Sequence, residues 1–302
     1  MKYDNVIFFN YFHLGDIHIS RNYIKKMMSR IQADTFFETN QYGDHVIKDI
    51  DNLHHLRWHS FVNFCGVPYD VPYAVNMNGD KKTLFINTWV AQNQPLNKIP
   101  KEEGTCTFPR NTENYNIILR ELGLPEIPKD SVDIFPSIDY EKYDIDGVNN
   151  FLKKNDGTFV LVFNNESKSG QCVDFDFNPI VEKLCDEYKD HKFIFSNGTE
   201  FKHDRVYNAS DIIGKNDFDL NELSYLSTFC DVMVGRNSGP QAFCYVIENF
   251  LCPNKKNMVI SDFEKDADYQ AHTYRECRMK TRWMRYGDKD VFEFMKEFMD
   301  EN

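Results

Sequence analysis

Short apolar runs alternate with amphipathic stretches along most of the chain. Val6-Ile7-Phe8-Phe9, Thr35–Thr39, Thr83–Thr88, Thr158–Phe163, Lys192–Ser196, Asp211–Gly214, Val232–Val234 and Met258–Ser261 read as strands. The continuous runs fit strands covered on both faces. Between them apolar residues recur at helical spacing. Ile17, Ile24, Met27, Met28 and Ile31 share one face, with Arg21, Lys25 and Lys26 elsewhere. Asn114–Leu122 reads as a helix closed by Gly123. Ile180, Val181, Leu184 and Tyr188 follow Asn178-Pro179, a capped helix start. Asp219-Leu-Asn-Glu222 has the form of a capping box before Leu223 and Leu226. A helix is expected from near Pro240 to about Asn249, and a last one over Val291, Phe294, Met295, Phe298 and Met299. Strands alternating with helices imply parallel sheets with right-handed crossovers, so the fold class is α/β.

The chain has 302 residues, enough for two domains of about 150 each. Pro125, Pro128 and Pro136 mark the stretch least compatible with regular structure. This places a boundary near Asp146: a first α/β domain over 1–146, a second over 147–265, and a helical tail over 266–302 packing back on the first.

A net charge of −12 argues against a nucleic-acid binder. Against it, Arg275, Arg278, Lys280, Arg282 and Arg285 form a local basic run that reads as a solvated face. The eight cysteines include no CxxC pair, so buried free thiols in a reducing compartment are expected. The apolar run within the first ten residues is too short for a signal peptide, and no run approaches the roughly 18 apolar residues of a membrane span, so neither is expected. The expected location is cytoplasmic, with peripheral membrane attachment left open.

The chemistry concentrates at strand ends. Gly235-Arg236-Asn237-Ser238-Gly239-Pro240 follows a buried strand and opens a helix. A helix N-terminus with free N–H groups there is an anion site, and an ordinary βα turn explains the same residues. Asp16, in the loop after the first strand, is a helix cap or a general base. Lys168 and Ser169 lie in a polar loop after Phe163. His54, His55 and His59 cluster without completing a zinc pattern, and the Asp-x-Asp pairs 174/176, 144/146 and 217/219 are weak metal candidates in so acidic a chain. No metal site is expected. GxSxG, P-loop and GxGxxG signatures are absent.

Leu14-Gly15-Asp16 after the first strand, together with Asp231-Val-Met-Val-Gly-Arg-Asn-Ser-Gly-Pro240, resembles the heptosyltransferase family (family 9) of GT-B glycosyltransferases. The leucine-rich Asp219–Cys230 segment adds to the likeness. The chain carries Arg236-Asn237 where the family usually has Asn-Asp. The resemblance implies two Rossmann-like domains facing a cleft and transfer of a sugar from a nucleotide-sugar donor to a glycan or glycolipid acceptor. It implies Asp16 as base and donor contacts from Asn237, Ser238, Gly239 and Lys168. Arg236, Ser169 and Glu222 complete the candidate donor set. His13, Gly15 and Trp89 are the candidate acceptor contacts. No cofactor is expected, the nucleotide-sugar being a substrate. A polysaccharide pyruvyl transferase-like enzyme and a non-catalytic nucleotide- or glycan-binding protein are the competing readings.

Overall fold

The computed structural model describes residues 3–10, 14–39, 43–57, 72–78, 80–88, 107–168, 170–214, 219–262 and 276–301. The chain divides into two compact units, Met1–Ser137 and Ile138–Asn302.

The first unit runs β1 (Asn5–Asn10), α1 (Leu14–Arg30), β2 (Asp34–Thr39), α2 (Gly43–Ile47), β3 (Leu53–Arg57), β4 (Tyr73–Asn78), β5 (Lys81–Asn87) and α3 (Thr107–Glu121). Its sheet has the order β3-β2-β1-β5-β4. All neighbours are parallel except the edge strand β4, antiparallel to β5. β1 is central: Val6 stands between Thr35 and Leu84, and Val6 to Phe9 are wholly buried. That explains its unbroken apolar run. α3 ends as expected: Gly123 takes φ 68°, and Leu124 donates back to the Leu119 carbonyl.

α1 departs from a one-sided amphipathic helix. From Ile17 through Ile24 every residue is buried, Arg21 included. Several of the polar ones find partners distant in sequence. Arg21 pairs with buried Asp49 and donates to the Val46 carbonyl. Asn22 bonds the Asp133 and Phe135 carbonyls, and the Tyr23 hydroxyl bonds the Phe108 carbonyl at 2.9 Å.

The second unit runs α4 (Asp146–Lys154), β6 (Thr158–Phe163), α5 (Asn178–Glu187), β7 (His191–Phe195), β8 (Val206–Asn208), α6 (Ala209–Ile213), α7 (Leu220–Ser227), β9 (Val232–Arg236), α8 (Gly239–Ala242), α9 (Ile247–Phe250), β10 (Lys256–Ser261), β11 (Lys280–Arg285) and α10 (Val291–Asp300). Its sheet, β11-β10-β9-β6-β7-β8, is parallel throughout. β6 is buried from Phe159 to Phe163. Each such side chain contributes roughly 1.5–3 kcal/mol.

The chain passes from the first unit to the second at 137/138, within about ten residues of the expected Asp146; Ile138 and Tyr143 pack with Val246, and the Tyr140 and Tyr225 rings lie 4.9 Å apart at a tilt of 50° in the second unit. Several expectations are corrected here. Asp211–Gly214 ends a short helix instead of forming a strand; Gly214 closes it at φ 77°. The tail carries β11, which extends the second sheet. α10 lays Val291, Phe294, Met295 and Phe298 on the second unit's own core, against Val181 and Leu184, where the sequence reading sent it to the first domain. The helix expected over 240–249 is two single turns, α8 and α9. Phe243-Cys-Tyr-Val-Ile247 is β-branched and aromatic, with low helix propensity, and the Asn249 amide intervenes to bond the Cys244 carbonyl at 2.8 Å.

Candidate active site

In a parallel sheet ligands bind beyond the carboxyl ends of the strands, where successive connections leave in opposite directions. In the first sheet that point lies between β1 and β5; in the second it lies between β6 and β9.

Beyond β1, α1 begins at Leu14 and carries Asp16 in its first turn. The Ser20 hydroxyl donates to the Thr88 carbonyl at 3.0 Å, and the Thr88 N–H to the Phe9 carbonyl at 3.0 Å. These bonds tie α1 to the ends of β1 and β5. Asp16 retains some exposed surface as a residue, but its carboxyl group is packed away from solvent. Desolvation raises its pKa to about 7. A carboxylate so placed is half-ionised near neutrality, the range in which a general base works best.

Beyond β6 and β9 two segments are joined. Gly235 lets the strands meet: a Cβ there would stand 2.4 Å from Phe163 Cβ and 2.8 Å from its carbonyl oxygen. The loop after β6 turns at Ser167-Lys168, where the Gly170 N–H bonds the Ser167 carbonyl at 3.0 Å and Gly170 takes φ 67°. The Ser167 hydroxyl donates to the Asn237 carbonyl at 3.1 Å. The Ser261 hydroxyl, at the end of β10, donates to the Gln171 carbonyl at 2.8 Å. Lys168 is left exposed at the turn. Asn237 is buried, and its N–H is used by the Ile260 carbonyl at 2.7 Å. Ser238 is also buried, yet its hydroxyl has no hydrogen-bond partner among the described residues. Nor does a hydrogen bond among them engage the N–H of Ser238 or Gly239. Cys172, in the same loop, is held by desolvation at a pKa of about 12 and is a packing group rather than a nucleophile.

No protein-family model matches the sequence, and no curated protein matches it. The backbone does find counterparts. A family 9 glycosyl transferase from Veillonella parvula superposes with a TM-score of 0.59 at 9% identity, over 100% of this chain and 92% of that one. The fold is that of the family 9 glycosyltransferases. The E. coli ADP-heptose LPS heptosyltransferase II gives a TM-score of 0.57 at 11% identity, over 99% and 98% of the two chains. The E. coli heptosyltransferase WaaC with ADP-2-deoxy-2-fluoro heptose gives 0.54 at 10%, over 99% of each. At these identities the likeness is one of GT-B architecture.

Within this glycosyltransferase fold, the β6–β9 switch point brings together Lys168, Asn237, Ser238 and Gly239. Gly15 and Asp16 stand at the other, on the first sheet. His13, Trp89 and Ser169 lie outside the described residues, as does His59. Glu222 is buried in the first turn of α7. The capping box does not form there, since Asp219 makes no side-chain cap bond. α8 is a single turn, so what the β9 turn offers is individual N–H and hydroxyl groups and not a long helix dipole. His54 and His55 lie on β3 rather than on a loop, and among the described residues no group of three His, Cys, Asp or Glu could hold a metal.

Arg236 is the main revision. The sequence reading aimed it at a donor anion. It is instead buried at 3% exposure, and its guanidinium donates to the carbonyls of Asn164 (2.6 Å), Asn165 (2.9 Å) and Phe175. It pairs with Asp174 at 2.7 Å and lies over the rings of Phe175 and Phe177, 4.9 and 5.3 Å from their centroids. Its charge is spent inside the protein. No sequence signal shows this, because every partner lies about sixty to seventy residues upstream.

Proposed function

We propose that this chain is a glycosyltransferase that moves a sugar from a nucleotide-sugar donor to a hydroxyl of a glycan or glycolipid acceptor. The observation that carries the reading is the β6–β9 switch point, where a buried hydroxyl and two N–H groups without a partner among the described residues adjoin a turn presenting Lys168. Diphosphate oxygens need such a set: several convergent donors and a mobile cation. Ser238, Gly239 and Lys168 receive the donor diphosphate, and protein donors take the place a metal ion holds in other transferases. Asp16 accepts the acceptor hydroxyl's proton as the glycosidic bond forms and the nucleoside diphosphate leaves. Its raised pKa suits it to hold that proton. The fold supports this assignment, as does the presence of ADP-heptose and heptosyltransferase in the names of its structural counterparts.

The test is a panel of sugar nucleotides incubated with the protein, with and without candidate glycans, and read by mass spectrometry for hydrolysis and transfer. One member of the panel is expected to turn over. Asp16→Asn is expected to lower that turnover about 10²–10⁴-fold while leaving donor affinity within a few-fold. For the native protein the rate rises with pH through about 7 as Asp16 ionises. Full turnover by Asp16→Asn would remove Asp16 from the mechanism. Nucleotide binding without turnover of any donor would favour the non-catalytic reading.

A further inference from the structure

Arg236 is the first of two positions in the β9 turn that depart from the family pattern, and its geometry is that of a clamp. The loop between β6 and α5 leaves the sheet at Asn164 and returns at Phe175. A single guanidinium bonds both ends: Nη1 takes the carbonyls of Asn164 and Asn165, while Nη2 takes the carbonyl of Phe175 and the carboxylate of Asp174. The two aromatic rings pack over its plane. Lysine could not replace it, having neither the planar fork nor the stacking face. Between the clamped ends, Ser167 crosses to Asn237, the residue after Arg236, so the turn bearing Lys168 is fixed to the turn bearing Ser238.

We propose that Arg236 is a positioning residue. It closes the Asn164–Phe175 loop and so sets Lys168 against Ser238 and Gly239, without itself meeting the donor. The inference rests on the donor-site reading above for its functional consequence, but its structural part stands alone. A cation that binds the anion directly and a cation that holds another cation in place differ in one measurable respect. Direct ligands contribute independently, whereas a positioning residue has no further effect once the group it positions is gone.

Two measurements decide the matter on the full chain. The first is amide hydrogen exchange of residues 166–171 in the native protein, Arg236→Lys and Asp174→Asn. Exchange is expected to speed up at least about tenfold in Arg236→Lys and less in Asp174→Asn, which keeps the three carbonyl bonds and the fold. Unchanged exchange in Arg236→Lys overturns the clamp. The second is a cycle of Arg236→Lys, Lys168→Ala and the double variant, titrated with inorganic pyrophosphate, the moiety every nucleotide-diphosphate sugar shares. Each single variant is expected to weaken binding about five- to tenfold, and the double variant no more than about twofold beyond Lys168→Ala. Multiplying losses would make Arg236 a direct ligand and overturn the proposal. If native protein does not bind pyrophosphate, the donor-site reading fails, while the exchange experiment still tests the clamp.

Discussion

The switch points of the two sheets each bury an ionisable side chain, and they treat it in opposite ways. Beyond β1, the Asp16 carboxyl is desolvated, and the cost appears as a pKa raised to about 7. At the end of β9, Arg236 is as deeply placed but surrounded by three carbonyls, a carboxylate and two rings. Among the described residues no bond offsets the burial of the Asp16 carboxylate, and such a group seeks a proton; Arg236, bonded through Nη1 and Nη2 though not through Nε, becomes part of the scaffold. The first is suited to chemistry and the second to holding a loop. Two residues singled out for the same reason, a charged side chain after a strand, thus part into different roles.

The largest effect that sharpens this contrast belongs to Arg236. Arg236→Met keeps most of the side-chain volume and removes the donors, so the carbonyls of Asn164, Asn165 and Phe175 lose a shared partner at once. A loss of about 3–5 kcal/mol is expected in urea unfolding, the size seen when one side of a buried charged network is removed. A loss below 1 kcal/mol would mean that the guanidinium contributes little to the scaffold.

Asp16→Asn should move stability the other way. Because the folded-state pKa lies above the ordinary aspartate value of 3.8, the native fold prefers the protonated form. The favourable contribution is fully present below about pH 4 and is lost as pH rises through about 7. Asparagine cannot ionise and escapes that loss. The variant should therefore match the native protein near pH 4 and exceed it at pH 8 by about 2–4 kcal/mol. Thermal unfolding across that range checks the sign. A variant less stable than the native protein at pH 8 would show that the carboxylate is compensated after all, and the two switch points would no longer differ in kind.

Those two residues also mark where the sequence was and was not legible. Buried strands announced themselves, since Val6–Phe9, Thr158–Phe163 and Met258–Ser261 are apolar on both faces and lie in sheet interiors. The positions of Asp16 and of the Gly235–Pro240 turn followed from the same strand–helix order. Edge strands were not visible. β4 carries exposed Val75, and β11 reads Lys280-Thr-Arg-Trp-Met-Arg285, polar enough to pass for a solvated basic run. The fates of Arg21 and Arg236 were hidden for a different reason. Periodicity reports which face of an element is apolar, but whether a buried cation is satisfied depends on carbonyls and carboxylates that only the tertiary fold brings near. For Arg21 the partner is Asp49, and for Arg236 it is the far end of a loop.

The smallest expected effect tests whether the Arg236 clamp depends on its ion pair or on its carbonyl bonds. Asp174 is 63% exposed in its side chain while Arg236 is 4% exposed. Water screens one end of the pair, so its attraction is near the surface value, and Asp174→Asn should cost less than about 1 kcal/mol. The neutral amide can still accept from Nη2, and the three carbonyl bonds remain. Raising salt should erase even this difference, because an exposed pair is screened and the buried carbonyl bonds are not. A larger, salt-resistant loss would place the compensation of Arg236 in its counter-ion. Arg236 would then resemble Asp16 in depending on a single charge.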